Sequence, residues 1–183
     1  VTAGGVTTSY QYDAVGDRVR STTPAQDTVF VHGLYERWRE RIGGGLGPPR
    51  TRVTHVWDVV QGGRTIAQIT QRGTGLEEIR FLHHDGLGSV VAVTSRTGEV
   101  AERYRFSPFG RRTRVNAVGL PIGAGVPEWR DGFTGHDHDD GTGLVNMRGR
   151  LYDPGLARFT SVDPLIADPG RRISWNPYVY VEQ

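Results

Sequence analysis

The sequence predicts an all-β fold of antiparallel strand-turn repeats, and three observations carry that prediction. From Ser9 onward, short runs of alternating or β-branched residues are separated by turn formers about every 8–12 residues. No amphipathic helix of convincing length interrupts them. Gly 26 and Pro 10 together make roughly a fifth of the 183 residues, enough for frequent turns but short of a low-complexity composition.

Taken in order, Thr28 to His32 reads as a strand ended by Gly33, and Arg52 to Trp57 as another. Val59-Val60 and Thr65 to Thr70 flank Gly62-Gly63, a dipeptide that tolerates the positive φ of a tight hairpin. Glu77 to His83 and Ser89 to Thr94 pair around Asp85-Gly86-Leu87-Gly88, and Val100 to Phe106 follows the turn Arg96-Thr97-Gly98-Glu99. The expectation is three hairpins in sequence. Residues 43–50, rich in Gly and Pro, cannot pack a core and read as a flexible loop. Strand-bearing sequence therefore covers 1–115, an irregular insertion 116–127, and a region dense in Gly, Asp, Pro and Arg 128–183, where only Gly143 to Tyr152 suggests a strand.

An internal similarity links Arg103 to Arg111 with Arg150 to Arg158, and more loosely with Tyr10 to Arg18. Each copy places an aromatic on a strand, then Asp or Pro opening a turn, then Gly near the position needing unusual φ, then Arg. An Asp before such a bend caps its own turn by accepting hydrogen bonds from backbone N–H groups two residues on. One strand and one turn cannot bury a face alone, so the unit must stack on neighbours as an extended β-spiral or wrapped sheet.

Bulk properties narrow the function classes. The formal charge is only +2 and every basic residue is arginine, spread among acids instead of clustered on one face, which argues against nucleic acid as a partner. The absence of cysteine excludes disulfides and thiolate metal sites. No apolar run approaches the ~18 residues of a membrane span, so this segment is not expected to insert into a membrane.

Tyr10-Gln11-Tyr12-Asp13-Ala14-Val15-Gly16 matches a YxYDxxG repeat. His84 to Ser89, Thr94 to Glu99 and Tyr104 to Gly110 follow a DxLGS, TxxxGE, YxPFG order. Phe133 to Leu144, Arg150 to Arg158, Ser161 to Pro164 and Asn176 to Tyr180 complete a second set. Together these motifs resemble the YD repeats and Rhs-repeat-associated core of bacterial polymorphic toxins, of the C components of insecticidal toxin complexes and, more distantly, of teneurins. The resemblance implies a hollow shell of spiralling antiparallel strands over 1–115, closed by an irregular core over 128–183. It also implies partners in the chain's own upstream repeats and in a C-terminal effector, a place in a secreted or cell-surface protein handled by a delivery apparatus, and no cofactor. Three departures stand out: Asp17 where the repeat usually has Arg, Leu144 to Arg148 where an aromatic pair is more common, and a family cleavage segment of the form DPxGL expected beyond Gln183.

Asp163, in Ser161-Val162-Asp163-Pro164, resembles the family's self-cleaving aspartate, with Arg158 as an orienting partner. Aspartyl proteolysis needs two carboxyl groups sharing a proton, and neither Asp153 nor Asp168 matches the family's second one. The alternative is that Asp163 caps the turn before Pro164. His136, His138 and Asp140 alternate in a way that could place metal ligands on one strand face, although a polar turn reads more simply. His83-His84 reads as a strand end, and Gly86 to Ser89 as a β-turn that lacks the Lys and helix of a phosphate loop. Tyr12, Tyr104, Phe106, Tyr152 and Phe159 read as packing aromatics. A second reading of the whole chain is a surface module that binds carbohydrate or protein without proteolysis.

Overall fold

The computed structural model describes residues 1–43, 50–123, 129–164, 170 and 172–180. β1 (Thr2–Ala3) and β2 (Val6–Thr7) form a small hairpin. Ten strands then follow in chain order: β3 (Ser9–Tyr12), β4 (Arg18–Thr22), β5 (Gln26–Val31), β6 (Tyr35–Ile42), β7 (Arg50–Gln61), β8 (Arg64–Arg72), β9 (Glu77–His84), β10 (Val90–Ser95), β11 (Val100–Phe106) and β12 (Arg112–Val115). Each pairs antiparallel with the next, giving one ten-stranded sheet. β13 (Asp137–Asp139), β14 (Leu144–Asn146), β15 (Leu151–Asp153) and β16 (Arg158–Phe159) form a second, four-stranded antiparallel sheet.

The all-β expectation holds, with four corrections. The strands are a continuous meander and not three separate hairpins, because Arg52 to Trp57 and Val59-Val60 lie on one strand of 12 residues. Tyr35–Ile42, whose alternating charges hide its pattern, pairs with β7 from Ile42 opposite Arg50 to Tyr35 opposite Trp57. Four short strands replace the single one expected after Trp129. The insertion is partly regular: Val115 bridges Pro121 and the Ile122 N–H donates to the Arg114 carbonyl at 3.0 Å. Apart from Gly43 and Arg50, the flexible-loop expectation lies outside the described residues.

Among the described residues, one turn recurs five times. It opens on Asp13, Asp85, Ser95, Ser107 or Asn116, and the glycine three residues later has φ of 86°, 89°, 84°, 84° or 83°. The glycine N–H donates to the opening residue's carbonyl at 2.9–3.2 Å, and the opening N–H donates to the carbonyl four residues on at 2.8–3.0 Å. A type I turn followed by a left-handed residue has this form, and it favours glycine there. Asp85 Oδ1 adds the cap expected from the sequence, accepting from the N–H groups of Leu87 (2.9 Å) and Ser89 (2.8 Å). The Asp153 turn differs: it also caps, but its left-handed residue is Ala157 (φ 56°), not Gly155.

The segment from Trp129 to Gly141 and the small sheet cover one face of the large sheet. Leu82, Val90, Val93, Tyr104 and Trp129 form one apolar cluster; Phe133, Val145, Met147, Tyr152 and Phe159 form another, and Phe106 touches both. Toward β4–β8 the covered face turns polar: Ser21, Thr28, Thr54, Gln68 and Thr70 are all buried there. Burying so many hydroxyls is costly in a dry core, so this part behaves as the wall of a wet cavity.

Candidate functional site

Asp163 lies just beyond the small sheet. Its N–H donates to the Pro177 carbonyl at 2.8 Å, and the Phe159 N–H donates to the Tyr178 carbonyl at 2.9 Å, so residues 176–180 run beside β16. Asp163 Oδ2 sits 2.9 Å from Arg150 Nη1, and the Arg150 guanidinium lies 3.6 Å over the Phe159 ring. Among the described residues, the cation paired with Asp163 is Arg150 and not the expected Arg158. Arg158 serves through its backbone, opposite Asp153 and bridged to Val179, and is exposed. Asp153 is a turn cap, and Asp168 lies outside the described residues.

The histidine set does not gather into a ligand cluster. His138 is buried against Phe106, and its Nε2 accepts the Phe133 N–H at 3.1 Å. Burial, with help from Arg112 and His136, pushes its pKa down to about 3, so the ring is neutral. Asp140 is paired with Arg112 at 2.5 Å, and His136 faces another cavity. Among the described residues, the His and carboxylate atoms that do converge are those of Asp13, Asp17 and His32, within 4.8 Å of one another at two neighbouring turns.

Sequence reasoning missed a set of acids under the covering segment. Asp58, Asp131 and Asp137 line a cavity of about 330 Å³ together with Glu36 and Arg130. Arg130 Nε donates to Glu36 Oε2 at 3.0 Å, while the Arg130 guanidinium lies 4.9 Å over Phe30. Burial, reinforced by Glu36 and Asp137 against a hydrogen bond from Gln68, pushes Asp58 up to about 7. Burial and the neighbouring Asp137 and Asp58 push Asp131 up to about 8. The available signal was alternation: Thr54, Val56 and Asp58 stand at every second position of β7, so Asp58 faces inward with the two buried residues.

The two sheets meet at one edge. Turns after β3, β9 and β11 leave the meander on the same side, and their glycines are where the C-terminal region docks. A β-carbon added to Gly16 would lie 3.7 Å from Gly149 Cα, one added to Gly88 3.8 Å from the Thr134 carbonyl carbon, and one added to Gly110 2.5 Å from Phe133 Cδ1. The Thr134 N–H donates to Ser89 Oγ at 3.1 Å, the Val90 N–H donates to the Gly132 carbonyl at 3.1 Å, and the Tyr152 hydroxyl donates to the Phe109 carbonyl at 3.0 Å.

No family model matches the chain. Among characterised proteins, it is 24% identical over 178 residues to the tRNA3(Ser)-specific nuclease WapA of Bacillus spizizenii, covering 94% of this chain and 7% of that protein. It is 28% identical over 191 residues to double-stranded DNA deaminase toxin A of Burkholderia cenocepacia, covering 93% of this chain and 13% of that protein. The chain thus spans a small fraction of the relatives it matches. Among solved structures, the TcdB2-TccC3 complex superposes over all of this chain and 9% of its own with a TM-score of 0.73 at 18% identity. The TcdB2-TccC3-Cdc42 complex covers 96% of this chain and 8% of its own, again at 0.73 and 18%. The all-β fold is therefore that of a stretch of these chains, and the sequence similarity is to a tRNA-specific nuclease and a double-stranded DNA deaminase toxin.

Proposed function

We propose that this chain is the shell-and-core stretch of an Rhs/YD-repeat toxin, encapsulating a C-terminal effector that Asp163 helps to release by self-cleavage. The observation that carries this reading is the approach of Phe133, Thr134 and Gly149 to the glycine turns along one side of the ten-stranded sheet. A covering segment of this kind on a wall of antiparallel strands is what a shell closed by a core requires. The hydroxyl-rich face beneath suits a wet interior that holds a polypeptide without packing it into a core. Similarity both to a tRNA-specific nuclease and to a double-stranded DNA deaminase toxin fits a common carrier placed before a variable effector.

On this reading Asp163 is one of two carboxyl groups needed to activate water and polarise the scissile carbonyl. The second is supplied from a downstream segment, and Arg150 positions Asp163 to meet it. The protein is exported, and its partners are its own upstream repeats, its effector and a delivery apparatus.

The test is the intact mass of the full-length protein beside its Asp163→Asn variant. Asparagine keeps the shape of aspartate but cannot exchange the proton. Two fragments from the parent and one uncut chain from the variant are expected. An uncut parent overturns the proteolytic part of the reading and leaves a shell without processing.

A further inference from the structure

We propose that the face of the ten-stranded sheet opposite the covering segment docks a protein whose surface presents carboxylates around an apolar patch. On β7, Thr54 and Asp58 line the cavities under the cover, so His55 and Trp57, at the intervening positions, point away from it. Strand register then aligns Val31, Tyr35, Trp57, Ile69 and Ile79 in one apolar row across β5–β9. Val59 and Phe81, on either side of Ala67, begin a second row. Val31, Val59 and Phe81 are 45%, 40% and 42% exposed, so the rows are open to solvent.

The same face is cationic. Glu36, Trp38 and Glu40 line the covered side of β6, so Arg37, Arg39 and Arg41 leave the other side beside the apolar row, about 6.8 Å apart. Arginines that look dispersed in the sequence are thus gathered by the period of the strand. Asp27 stands opposite Arg39 but is held by Arg20 at 2.7 Å. Among the described residues Arg37, Arg39 and Arg41 form no ion pair, so their charge is free to select an acidic partner.

Side-chain chemistry favours a protein over other acidic partners. Tyr, Trp, Phe and Arg together are the residues enriched in protein interfaces and in their energetic centres. Single-stranded nucleic acid would need open ring faces on which to stack bases. Here Tyr35, His55 and Trp57 pack on one another with ring centroids 5.7–6.0 Å apart, and the Tyr35 hydroxyl meets His55 Nδ1 at 2.7 Å. An anionic membrane would need apolar side chains that reach several ångströms into it, whereas Tyr35, Trp57, Ile69 and Ile79 are half-buried in the sheet. The main chains of β5–β9 are paired on both sides, so the partner offers a folded surface and not an added strand. This inference stands on the sheet alone and does not depend on encapsulation or on Asp163.

Calorimetric titration of the chain with a random copolymer of glutamate and tyrosine, beside polyglutamate, oligothymidine and phosphatidylserine vesicles, tests it. The copolymer should bind, and more tightly than the other three. Arg37→Glu combined with Arg39→Glu should weaken copolymer binding about tenfold. Arg96→Glu combined with Arg158→Glu makes the same change of net charge at two exposed arginines elsewhere and should leave binding within about twofold. Trp57→Thr, which keeps a strand former but removes the ring, should also weaken binding about tenfold. An unchanged amide spectrum establishes that each variant is folded; should Trp57→Thr not fold, the Arg37 and Arg39 pair decides. No binding of the copolymer, equal binding of polyglutamate, tighter binding of oligothymidine or vesicles, or equal effects of the two double variants overturns the proposal.

Discussion

Gly110 and Phe133 approach so closely that a β-carbon on Gly110 would lie 2.5 Å from Phe133 Cδ1 and 2.7 Å from Cγ. The contact joins the last hairpin of the large sheet to the segment that covers it. Gly98 supplies a matched comparison: it has the same φ of 84°, but nothing lies within 4 Å of its added β-carbon. Gly98→Ala should cost about 1–2 kcal/mol of backbone strain. Gly110→Ala should cost that and a further roughly 1–3 kcal/mol, because the ring must move in a packed cluster. Denaturant titration of both variants reads the difference, and equal losses would show that Phe133 moves aside freely.

Asp58 and Asp131 give the fold an unusual pH response. Burial raises them to about 7 and about 8, whereas an unfolded aspartate titrates near about 3.9. Between those limits the folded chain holds protons that the unfolded chain has released, so stability falls as pH rises from about 4 to about 8. His138 acts in the opposite sense: its folded pKa of about 3 lies below its unfolded value of about 6.5, and stability falls as pH drops between them. The Asp131→Asn variant separates the two. Its midpoint of urea unfolding should fall less than the parent's between about pH 6.5 and about pH 8.5, because the remaining titration of the unfolded histidine near about 6.5 is common to both chains. Parallel curves would mean that Asp131 is already ionised at pH 6.5 (roughly neutral conditions).

Asp85 stands for the recurring turn. Its Oδ1 accepts two backbone N–H groups at 2.8 and 2.9 Å, and the turn it closes carries Ser89, which receives Thr134. Asp85→Ala should cost about 1–2 kcal/mol, the usual loss when a capping side chain is removed. Asp85→Asn should cost much less, since the amide oxygen can accept the same bonds, as Asn116 does from Val118 and Leu120 at 3.1 and 2.9 Å. Thermal unfolding of the two variants checks the order; a reversal would assign the role of Asp85 to its charge.

The sheet was legible wherever local chemistry fixes it. Gly62-Gly63, Asp85 to Gly88 and Arg96 to Glu99 each marked a turn that the structure contains, because positive φ and capping are properties of a few adjacent residues. β6 was not legible, since Glu36, Trp38 and Glu40 face inward where an apolar row is expected: Glu36 is met there by Arg130, 94 residues away in sequence. The same distance hides the acid cavity, in which Asp58 and Asp131 come from different layers. Repeat similarity also misled once: Arg150 to Arg158 aligns with Arg103 to Arg111, yet its left-handed residue is Ala157 and its turn is longer.

Arg150 and Arg158 make opposite predictions for the proposed self-cleavage. Arg150 is stacked on Phe159 and holds Asp163 Oδ2 at 2.9 Å, which fixes where the carboxyl group points. Arg158 contributes backbone pairing and keeps an exposed side chain. In the full-length protein, Arg150→Met should slow release of the C-terminal fragment by about 10²-fold, the order of loss when a reacting group is misplaced by about 1 Å. Arg158→Met should leave the rate within about twofold, because surface substitutions away from a site change little. A purely structural role for Arg150 would lower the unfolding midpoint in step with the loss of cleavage, whereas a positioning role slows cleavage at an unchanged midpoint and lets Arg150→Lys, which keeps the cation, recover most of the rate. Time courses of fragment release, with the unfolding midpoint measured alongside, separate the two. Equal slowing by both substitutions would remove Arg150 from the site.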